Sequence, residues 1–205
     1  MITGKKEHII NDVNFWLFGG CIEVLGGLTP LIRKTKGLMG YQEHKHKVPK
    51  SVSCAVLTIS DSRTERDDES GRLIGQKLSE TGHRVILYCI LRNEADSIKK
   101  KIYELLKEEE LQVIIATGGT GVSHRDITIE TIYPILEKKL DGFGELFRFL
   151  TYSEIGTSSI MSRAMAGVAG GKVILCLPGS PEATTLAMDK IILPEIGHLV
   201  MEATR

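Results

Sequence analysis

The most restrictive feature of this chain is a short apolar run, Val113 to Ala116, that ends in a glycine-rich turn. A run of four apolar residues followed by turn residues predicts a buried β-strand. Glycine adopts positive φ values at low cost and lets the backbone approach a ligand closely. Successive N–H groups in such a turn form an anion site. The turn, which comprises Thr117, Gly118, Gly119, Thr120 and Gly121, is therefore either a phosphate-binding turn or a plain tight turn.

Apolar runs and helical patterns alternate along the chain, which predicts an α/β fold with a mostly parallel central sheet and helices on both faces. The predicted strands run from Ser53 to Ser60, Val85 to Leu91, Val113 to Ala116 and Val173 to Leu177, with a short strand or hairpin arm between Ile160 and Gly170. The predicted helices run from Gly71 to Glu80 after an N-cap at Ser70, then from Glu94 to Glu109, Asp126 to Leu136, Glu145 to Ser153, Glu182 to Ile191 and Pro194 to Glu202, and a turn is predicted from Asp141 to Gly144.

Polar loops follow three of these strands, at residues 60–68, 117–126 and 178–181. Ligands of open parallel sheets bind at the carboxyl ends of the strands, so the loops converge on one site if the strands are neighbours. Ser60, Asp61 and Asp68 are suited to hydrogen bonds with a ribose, an adenine or a pterin. The same residue types also bond their own backbone in ordinary loops.

Two further polar groups allow two interpretations each. Asp126, next to the predicted anion site, would repel a phosphate unless Mg²⁺ bridged the two; equally, it is suited to be the N-cap of the next helix. Glu145 and Arg148 are three residues apart on a predicted helix. They form either a surface ion pair or a pair that points into the crevice and binds a heterocycle or a phosphate.

Composition narrows the class of protein. The 26 basic and 26 acidic residues cancel, and aromatic residues make up only 5%, so neither nucleic acid nor a membrane is an expected partner. The four cysteines form no Cys-x-x-Cys pair, which argues against a zinc site or a disulfide framework and favours a reducing cytoplasmic setting.

The first 50 residues differ from the rest and are interpreted as an N-terminal extension. Its apolar stretch, Val13 to Leu25, is interrupted by Glu23 and is too short to span a membrane. We expect residues 1–38 to be poorly ordered or to precede the true start at Met39, and His44 and His46 to lie in a solvated tail. Residues 51–205 are expected to form the functional domain.

From about Val52 to the C-terminus, the chain resembles the MoaB/MogA family of molybdenum cofactor biosynthesis proteins, also represented by the G domain of gephyrin. The segment from Phe143 to Ser158 is most similar to the MoaB branch. The motifs that carry the resemblance are Leu57 to Arg63, Asp68 to Gly71, Thr117 to Gly121 with Arg125 to Thr128, Gly142 to Arg148, Ile155 to Ser158, Ser162 to Ala164 and Leu177 to Pro181.

The resemblance implies a three-layer α/β/α fold, a homotrimer or homohexamer, and binding of molybdopterin. In active members it also implies adenylylation, in which molybdopterin and Mg-ATP give adenylyl-molybdopterin and pyrophosphate. A downstream molybdate-insertion protein is the implied protein partner. The implied molybdopterin-binding residues are those of the glycine turn together with Glu145, Arg148, Thr151, Pro178, Gly179 and Ser180, and the implied nucleotide-binding residues are Ser60, Asp61, Asp68, Ser70 and Gly71.

The resemblance also implies catalytic residues, and here the chain departs from the family pattern. Asp126 matches the essential carboxylate that follows the glycine turn and is the implied Mg²⁺ ligand. The second essential carboxylate of the family follows the second strand, where this chain has Asn93. Either Glu94 takes that role or catalysis is weakened. The alternatives to an adenylyltransferase are a non-catalytic oligomer that stores or hands on the pterin, a related domain of another nucleotide pathway, and a scaffold.

Overall fold

The computed structural model describes residues 48–205, so the predictions for residues 1–38, Met39, His44 and His46 lie outside the described residues. In this part of the chain six strands form one sheet: β1 (Ser53–Ile59), β2 (Arg84–Leu91), β3 (Val113–Thr117), β4 (Lys138–Lys139), β5 (Met165–Ala169) and β6 (Lys172–Leu177). The helices are α1 (Glu69–Glu80), α2 (Ala95–Leu106), α3 (Thr128–Ile132), α4 (Asp141–Ile155), α5 (Pro181–Ala187) and α6 (Leu193–Ala203).

The sheet order is β2-β1-β3-β6-β5-β4. The strands β2, β1, β3 and β6 are parallel to one another, and β5 runs antiparallel to both of its neighbours. The mostly parallel α/β sheet predicted from the sequence is thus confirmed. The chain leaves β1 to form β2 on one side and returns to form β3 on the other, which makes the gap between β1 and β3 the topological switch point where ligands of such sheets bind.

Alternate residues of β1 pack on opposite faces of the sheet. Cys54 and Val56 belong to one apolar cluster, which includes residues of α1, α4 and α6. Ala55 and Leu57 belong to a second cluster, with residues of α2 and α3. Both faces are therefore covered, as the continuous apolar strands indicated, and the three-layer arrangement is confirmed.

Some helix boundaries differ from the predictions. The turn predicted from Asp141 to Gly144 is wrong, because these residues form the first turn of α4. Gly144 allows close packing there, since a Cβ at this position would lie 2.6 Å from the carbonyl oxygen of Ala164. Helix α3 begins at Thr128 rather than Asp126, and it gives way to a 3₁₀ turn, Tyr133–Ile135, that contains Pro134.

The helix predicted from Glu182 to Ile191 is also interrupted. Helix α5 ends at Ala187, and a π turn, Met188–Ile192, connects it to α6. Among the described residues, none of the helices is long and apolar enough to cross a membrane.

Candidate functional site

A cleft of about 440 Å³ lies at the carboxyl ends of β1, β3 and β6. We call it the glycine cleft. These three strands are neighbours, so the predicted convergence of their loops is confirmed. The residues that line the glycine cleft are Thr58, Ile59, Ser60, Arg63, Ser70, Thr117, Gly118, Gly119, Gly179, Ser180 and Pro181.

Two positions of the glycine turn tolerate no side chain. Gly118 has a φ of +93°, and a Cβ there would overlap the carbonyl oxygen of Ile59 at the end of β1. Gly119 has a φ of +59°, and a Cβ there would lie 2.5 Å from the hydroxyl oxygen of Thr128. Both conformations belong to the region that glycine adopts readily and other residues avoid.

Contacts on either side hold the turn in place. The N–H of Gly118 donates to the carbonyl of Leu177. Thr128 donates its hydroxyl to the Gly118 carbonyl and its N–H to the Gly119 carbonyl. Arg163 donates from Nε to the carbonyl of Thr120 at 2.9 Å, and the same guanidinium pairs with Glu130.

The carbonyls of Gly118, Gly119 and Thr120 are thus occupied, whereas the last three N–H groups of the turn are open. Within residues 48–205, the N–H groups of Gly119, Thr120 and Gly121 donate to no acceptor. Consecutive N–H groups on a glycine-rich backbone form a concave anion site. The turn can therefore accept an anion without losing an internal hydrogen bond.

The other loops of the cleft are tied to one another by hydroxyl groups. Ser70 donates to the carbonyl of Gly179 at 2.8 Å, and Thr117 donates to the carbonyl of Pro178 at 2.9 Å. The hydroxyl oxygen of Ser60 accepts the N–H groups of Ser62 and Arg63, as the local-bonding interpretation of this loop predicted. The predicted helix cap at Ser70 is wrong, because the N-cap of α1 is Asp68.

Asp68 lies beneath the cleft and has no exposed surface. Its carboxylate accepts the hydroxyl of Thr58 at 2.5 Å, the hydroxyl of Tyr88 at 2.7 Å and the N–H of Gly71 at 3.1 Å. Burial alone would raise the pKa of Asp68, but these hydrogen bonds outweigh burial and lower it. Burial and the neighbouring carboxylate raise the pKa of Tyr88, which keeps its hydroxyl a donor. Asp68 and Gly71 are therefore parts of the core, and neither lines the cleft.

A second cleft, of about 460 Å³, is lined by residues of the loops that follow β1, β2 and β3. We call it the arginine cleft. Its lining residues are Asp61, Arg92, Asn93, Glu94, His124, Arg125 and Ile127. The carboxylate of Asp61 accepts the N–H of Asn93 at 3.0 Å and lies 3.4 Å from the guanidinium of Arg125. One carboxylate thus joins the loops that follow β1, β2 and β3.

The side chain of Asn93 completes this connection. Its amide nitrogen donates to the carbonyl of Arg125. Its amide oxygen is buried, without a partner among the described residues, and a Cβ at Gly119 would lie 2.7 Å from it. A carboxylate at position 93 would have no proton to donate to Arg125 and would bring two oxygens together instead. The structure therefore gives a reason for an amide here.

Asp126 and Glu94 are the remaining acidic groups near the clefts. The interpretation of Asp126 as a helix N-cap is wrong, since α3 has its N-cap at Ile127 and Asp126 accepts the N–H of Ser123 at 3.1 Å instead. The exposed carboxylate of Glu94 accepts the hydroxyl of Ser97 at 3.2 Å. Across the described residues, no three His, Cys, Asp or Glu side chains are grouped as metal ligands.

The residues predicted on α4 do not line either cleft. Thr151 is buried and donates its hydroxyl to the Phe147 carbonyl one turn earlier. Glu145 is exposed, and none of the ion pairs of residues 48–205 joins it to Arg148, so the surface-pair interpretation is wrong. The proposed pterin contacts of these three residues stay predictions.

Besides Arg92 of the arginine cleft, three arginines of the site received no role in the sequence analysis. Arg63 lines the glycine cleft, Arg125 lines the arginine cleft, and Arg163 bonds the glycine turn. All three lie within motifs that carry the family resemblance, and this was the signal in the sequence that could have identified them as site residues. Their contacts link residues far apart in the chain, which spacing alone does not reveal.

Comparison with known proteins places these observations in a family. A family model described as "Probable molybdopterin binding domain" matches residues 55–198. "Molybdenum cofactor biosynthesis protein B" of Bacillus cereus is 45% identical over 168 residues, which cover 82% of this chain and 99% of that protein. The protein of the same name from Staphylococcus carnosus is 43% identical over 171 residues, which cover 82% and 100% of the two chains.

Solved structures agree with the sequence relatives. A crystal structure of a molybdenum cofactor biosynthesis protein B has 45% identity and a TM-score of 0.74, and the match covers 77% of this chain and 98% of that one. The tungsten cofactor synthesizing protein MoaB from Pyrococcus furiosus has 36% identity and a TM-score of 0.71, with 77% and 99% covered.

Proposed function

This chain belongs to the molybdopterin-binding-domain family of molybdenum cofactor biosynthesis proteins, and on that premise we propose that it binds molybdopterin and adenylylates it with Mg-ATP. The products are adenylyl-molybdopterin and pyrophosphate. The observation that carries the proposal is the glycine turn, whose three free N–H groups lie at the switch point of the sheet. We assign the reaction to the cytoplasm.

The terminal phosphate of molybdopterin occupies the glycine turn in this proposal. Backbone N–H groups fix the phosphate without a conformational change, because Thr128 and Arg163 already hold the carbonyls of the turn. The Pro178–Pro181 loop closes the opposite side of the cleft through Gly179 and Ser180. Glu145, Arg148 and Thr151 are retained as candidate contacts for the pterin ring.

The nucleotide lies at the consecutive residues Ser60, which lines the glycine cleft, and Asp61, which lines the arginine cleft. Ser70 is a further candidate contact from the glycine cleft, while Asp68 and Gly71 support this region from beneath. Mg²⁺ is held in nucleotide sites by one or two carboxylates together with substrate phosphates. The carboxylates of Asp126 and Glu94 would hold the ion together with ATP phosphates, and the ion would supply positive charge that offsets the charge of those phosphates.

The chemical step is the attack of a pterin phosphate oxygen on the α-phosphorus of ATP. The new phosphorus–oxygen bond forms as the bond to the bridging oxygen of pyrophosphate breaks. The chain contributes mainly by positioning: the glycine turn holds the attacking phosphate, and the loops of the arginine cleft hold the nucleotide. Donors fixed in advance around the reacting phosphates also stabilise the developing charge.

Replacement of Asp126 by Asn tests this assignment. We expect Asp126→Asn to lower the rate of pyrophosphate release from ATP by at least about 100-fold, as the loss of other groups that stabilise transition-state charge does. Binding of molybdopterin should persist. Asp189→Asn, an equal charge change on an exposed residue that is paired with Lys77 and lies outside the cleft loops, serves as the control. Full activity of Asp126→Asn would exclude the proposed role.

A non-catalytic pterin-binding oligomer is the second candidate. The observation that favours it is Asn93, whose amide is engaged with the Arg125 carbonyl and which supplies no carboxylate to the arginine cleft. Stoichiometric molybdopterin binding without pyrophosphate release would support this alternative over the adenylyltransferase.

We further propose that the chain assembles into a trimer or hexamer through the outer face of α4 and the following 3₁₀ turn. Leu146, Phe149, Tyr152 and Ile155 recur every third residue of α4 and are 44–67% exposed. Ile160, in the 3₁₀ turn Gly156–Met161, is 79% exposed. Contiguous apolar surface of this kind marks protein interfaces, and a second copy presents the same surface.

A further inference from the structure

Arg63 is the one charged side chain among the residues that line the glycine cleft. Carboxylates are absent from that lining, and the carboxylate paired with Arg63, Asp68, lies buried beneath it. A neutral pterin ring does not require a cation at this place. An anionic group of the ligand is matched by a cation here, and a guanidinium group fits the geometry of a phosphate better than an ammonium group does.

The guanidinium is held on two sides. Its Nη1 lies 3.5 Å from a carboxylate oxygen of Asp68, and its Nη2 donates to the carbonyl of Gly179 at 3.3 Å. At the base of the side chain, the N–H of Arg63 donates to the hydroxyl of Ser60. Since a guanidinium has five N–H donors, these two contacts leave most of them available. The side chain is still 33% exposed and can be reached from the cleft.

Asp68 orients this guanidinium from within the core. Three donors other than Arg63, the hydroxyls of Thr58 and Tyr88 and the N–H of Gly71, fix its carboxylate. Because Asp68 is fully buried, it cannot contact a ligand in the cleft without leaving these partners. An anchored carboxylate reduces the number of positions that a long arginine side chain samples, and so reduces the entropy that ligand binding would cost.

We propose that Arg63 is the specificity-determining residue that recognises the phosphate monoester of the pterin, with Asp68 as its positioning residue. This inference rests on the proposed binding of molybdopterin to the glycine cleft. The open N–H groups of the glycine turn donate to phosphate oxygens from one side, and Arg63 adds a charge-assisted contact from the loop after β1. The site therefore distinguishes a phosphorylated pterin from its dephosphorylated form.

The test measures equilibrium binding of the fluorescent oxidised derivative of molybdopterin, with its phosphate and after phosphatase treatment. The proteins are the full chain and its Arg63→Gln, Arg63→Lys and Arg66→Gln variants. Arg66 is an exposed arginine of the same loop that does not line the cleft, so its variant is the matched control.

We expect Arg63→Gln to weaken binding of the phosphorylated pterin by about 10- to 100-fold, the usual range for a hydrogen bond to a charged group. Binding of the dephosphorylated form should change less than about twofold, because only contacts to the phosphate are lost. Arg63→Lys should fall between these values, since it keeps the charge but loses the planar fork. Arg66→Gln should match the unsubstituted protein.

In the binding comparison, two results would overturn the inference while leaving pterin binding intact. One is equal affinity of the unsubstituted protein for both pterins; the other is an equal loss of both in Arg63→Gln, which indicates a structural role. The salt dependence of the unsubstituted protein gives a readout without any variant. Its preference for the phosphorylated pterin should decrease as salt screens the charge, and a preference that salt leaves unchanged also overturns the inference. Failure to bind either pterin would refute the proposed function itself.

Discussion

Replacement of the buried Asp68 by Asn separates a structural role from a ligand contact. The substitution keeps the shape of the side chain and removes its charge. In the native structure, one carboxylate oxygen accepts the hydroxyls of Thr58 and Tyr88, and the other accepts the N–H of Gly71 and faces Arg63. An amide has only one oxygen, so its NH₂ group must point towards one of these two pairs of donors.

The size of the effect follows from the contacts that are lost. A hydrogen bond to a charged group contributes about 1.5–3 kcal/mol, and an unsatisfied buried donor costs about 1–3 kcal/mol. Partial rearrangement around the amide offsets some of this, and we expect a loss of about 3 kcal/mol in the free energy of unfolding. For a domain of this size, that corresponds to a decrease in Tm of about 6–12 °C.

The pH dependence of the difference in Tm between the native protein and Asp68→Asn provides a second test. The hydrogen bonds to Asp68 hold its pKa below the ordinary value in the folded state. A carboxyl with a lowered folded pKa contributes stability above its unfolded pKa, about 3.9, and this stability is lost as the pH falls through the folded pKa. The difference in Tm between the native protein and Asp68→Asn should therefore be constant near neutral pH and should narrow below about pH 4.

Thermal unfolding followed by circular dichroism measures both effects. Asp67→Asn is the control, because the neighbouring Asp67 is exposed and bonds only within its own loop, through Thr64; its Tm should change far less. An Asp68→Asn variant with an unchanged Tm would refute the structural role. If such a variant also lost affinity for ATP, Asp68 would be a nucleotide contact, as the family resemblance implies.

Two other substitutions test the loops and the outer face of α4. Asn93→Asp removes the donor to the Arg125 carbonyl, so we expect faster amide hydrogen exchange in residues 122–126 and no gain in pyrophosphate release; a gain would mean that a carboxylate is what position 93 lacks. Phe149→Asp should shift the native oligomer towards monomer in light scattering, whereas Tyr103→Asp, at an exposed aromatic on α2, should not. An unchanged oligomer in Phe149→Asp would exclude this face as the interface.

The sequence was sufficient for the four parallel strands and the glycine turn, because local signals determine them, but it did not predict β4 (Lys138–Lys139). Val113 to Ala116 is apolar throughout, and glycine is the residue that suits the positive φ of Gly118. Local signals were insufficient at the start of α1. Asp68 and Ser70 are both good N-caps, and the choice depends on the Gly179 carbonyl, 109 positions along the chain, which engages the hydroxyl of Ser70.

Tertiary packing also decided the start of α4. Asp141 and the glycines at positions 142 and 144 have the composition of a turn. These residues nevertheless form the first turn of α4. Glycine is needed at position 144 because the helix approaches the backbone of Ala164 too closely for a side chain. At the site, the spacing of motifs predicted which loops converge. It did not predict which side chains line the clefts and which, such as Asp68, lie beneath them.

The π turn Met188–Ile192 determines the rotational phase of the C-terminal helix. An α-helix advances about 100° per residue, so a stripe that repeats every four residues drifts by about 40° at each step. Met188, Ile192, Ile196 and Val200 repeat in this way, and all belong to one apolar cluster. A π turn has more residues per turn than an α-helix, so each residue rotates the chain by less and the drift between Met188 and Ile192 is smaller. Asp189 and Lys190 are exposed, yet loss of one residue there would rotate α6 by about 100° and turn its apolar stripe away from the sheet. The length of this segment is therefore as constrained as the identity of a core residue, even at its two exposed positions.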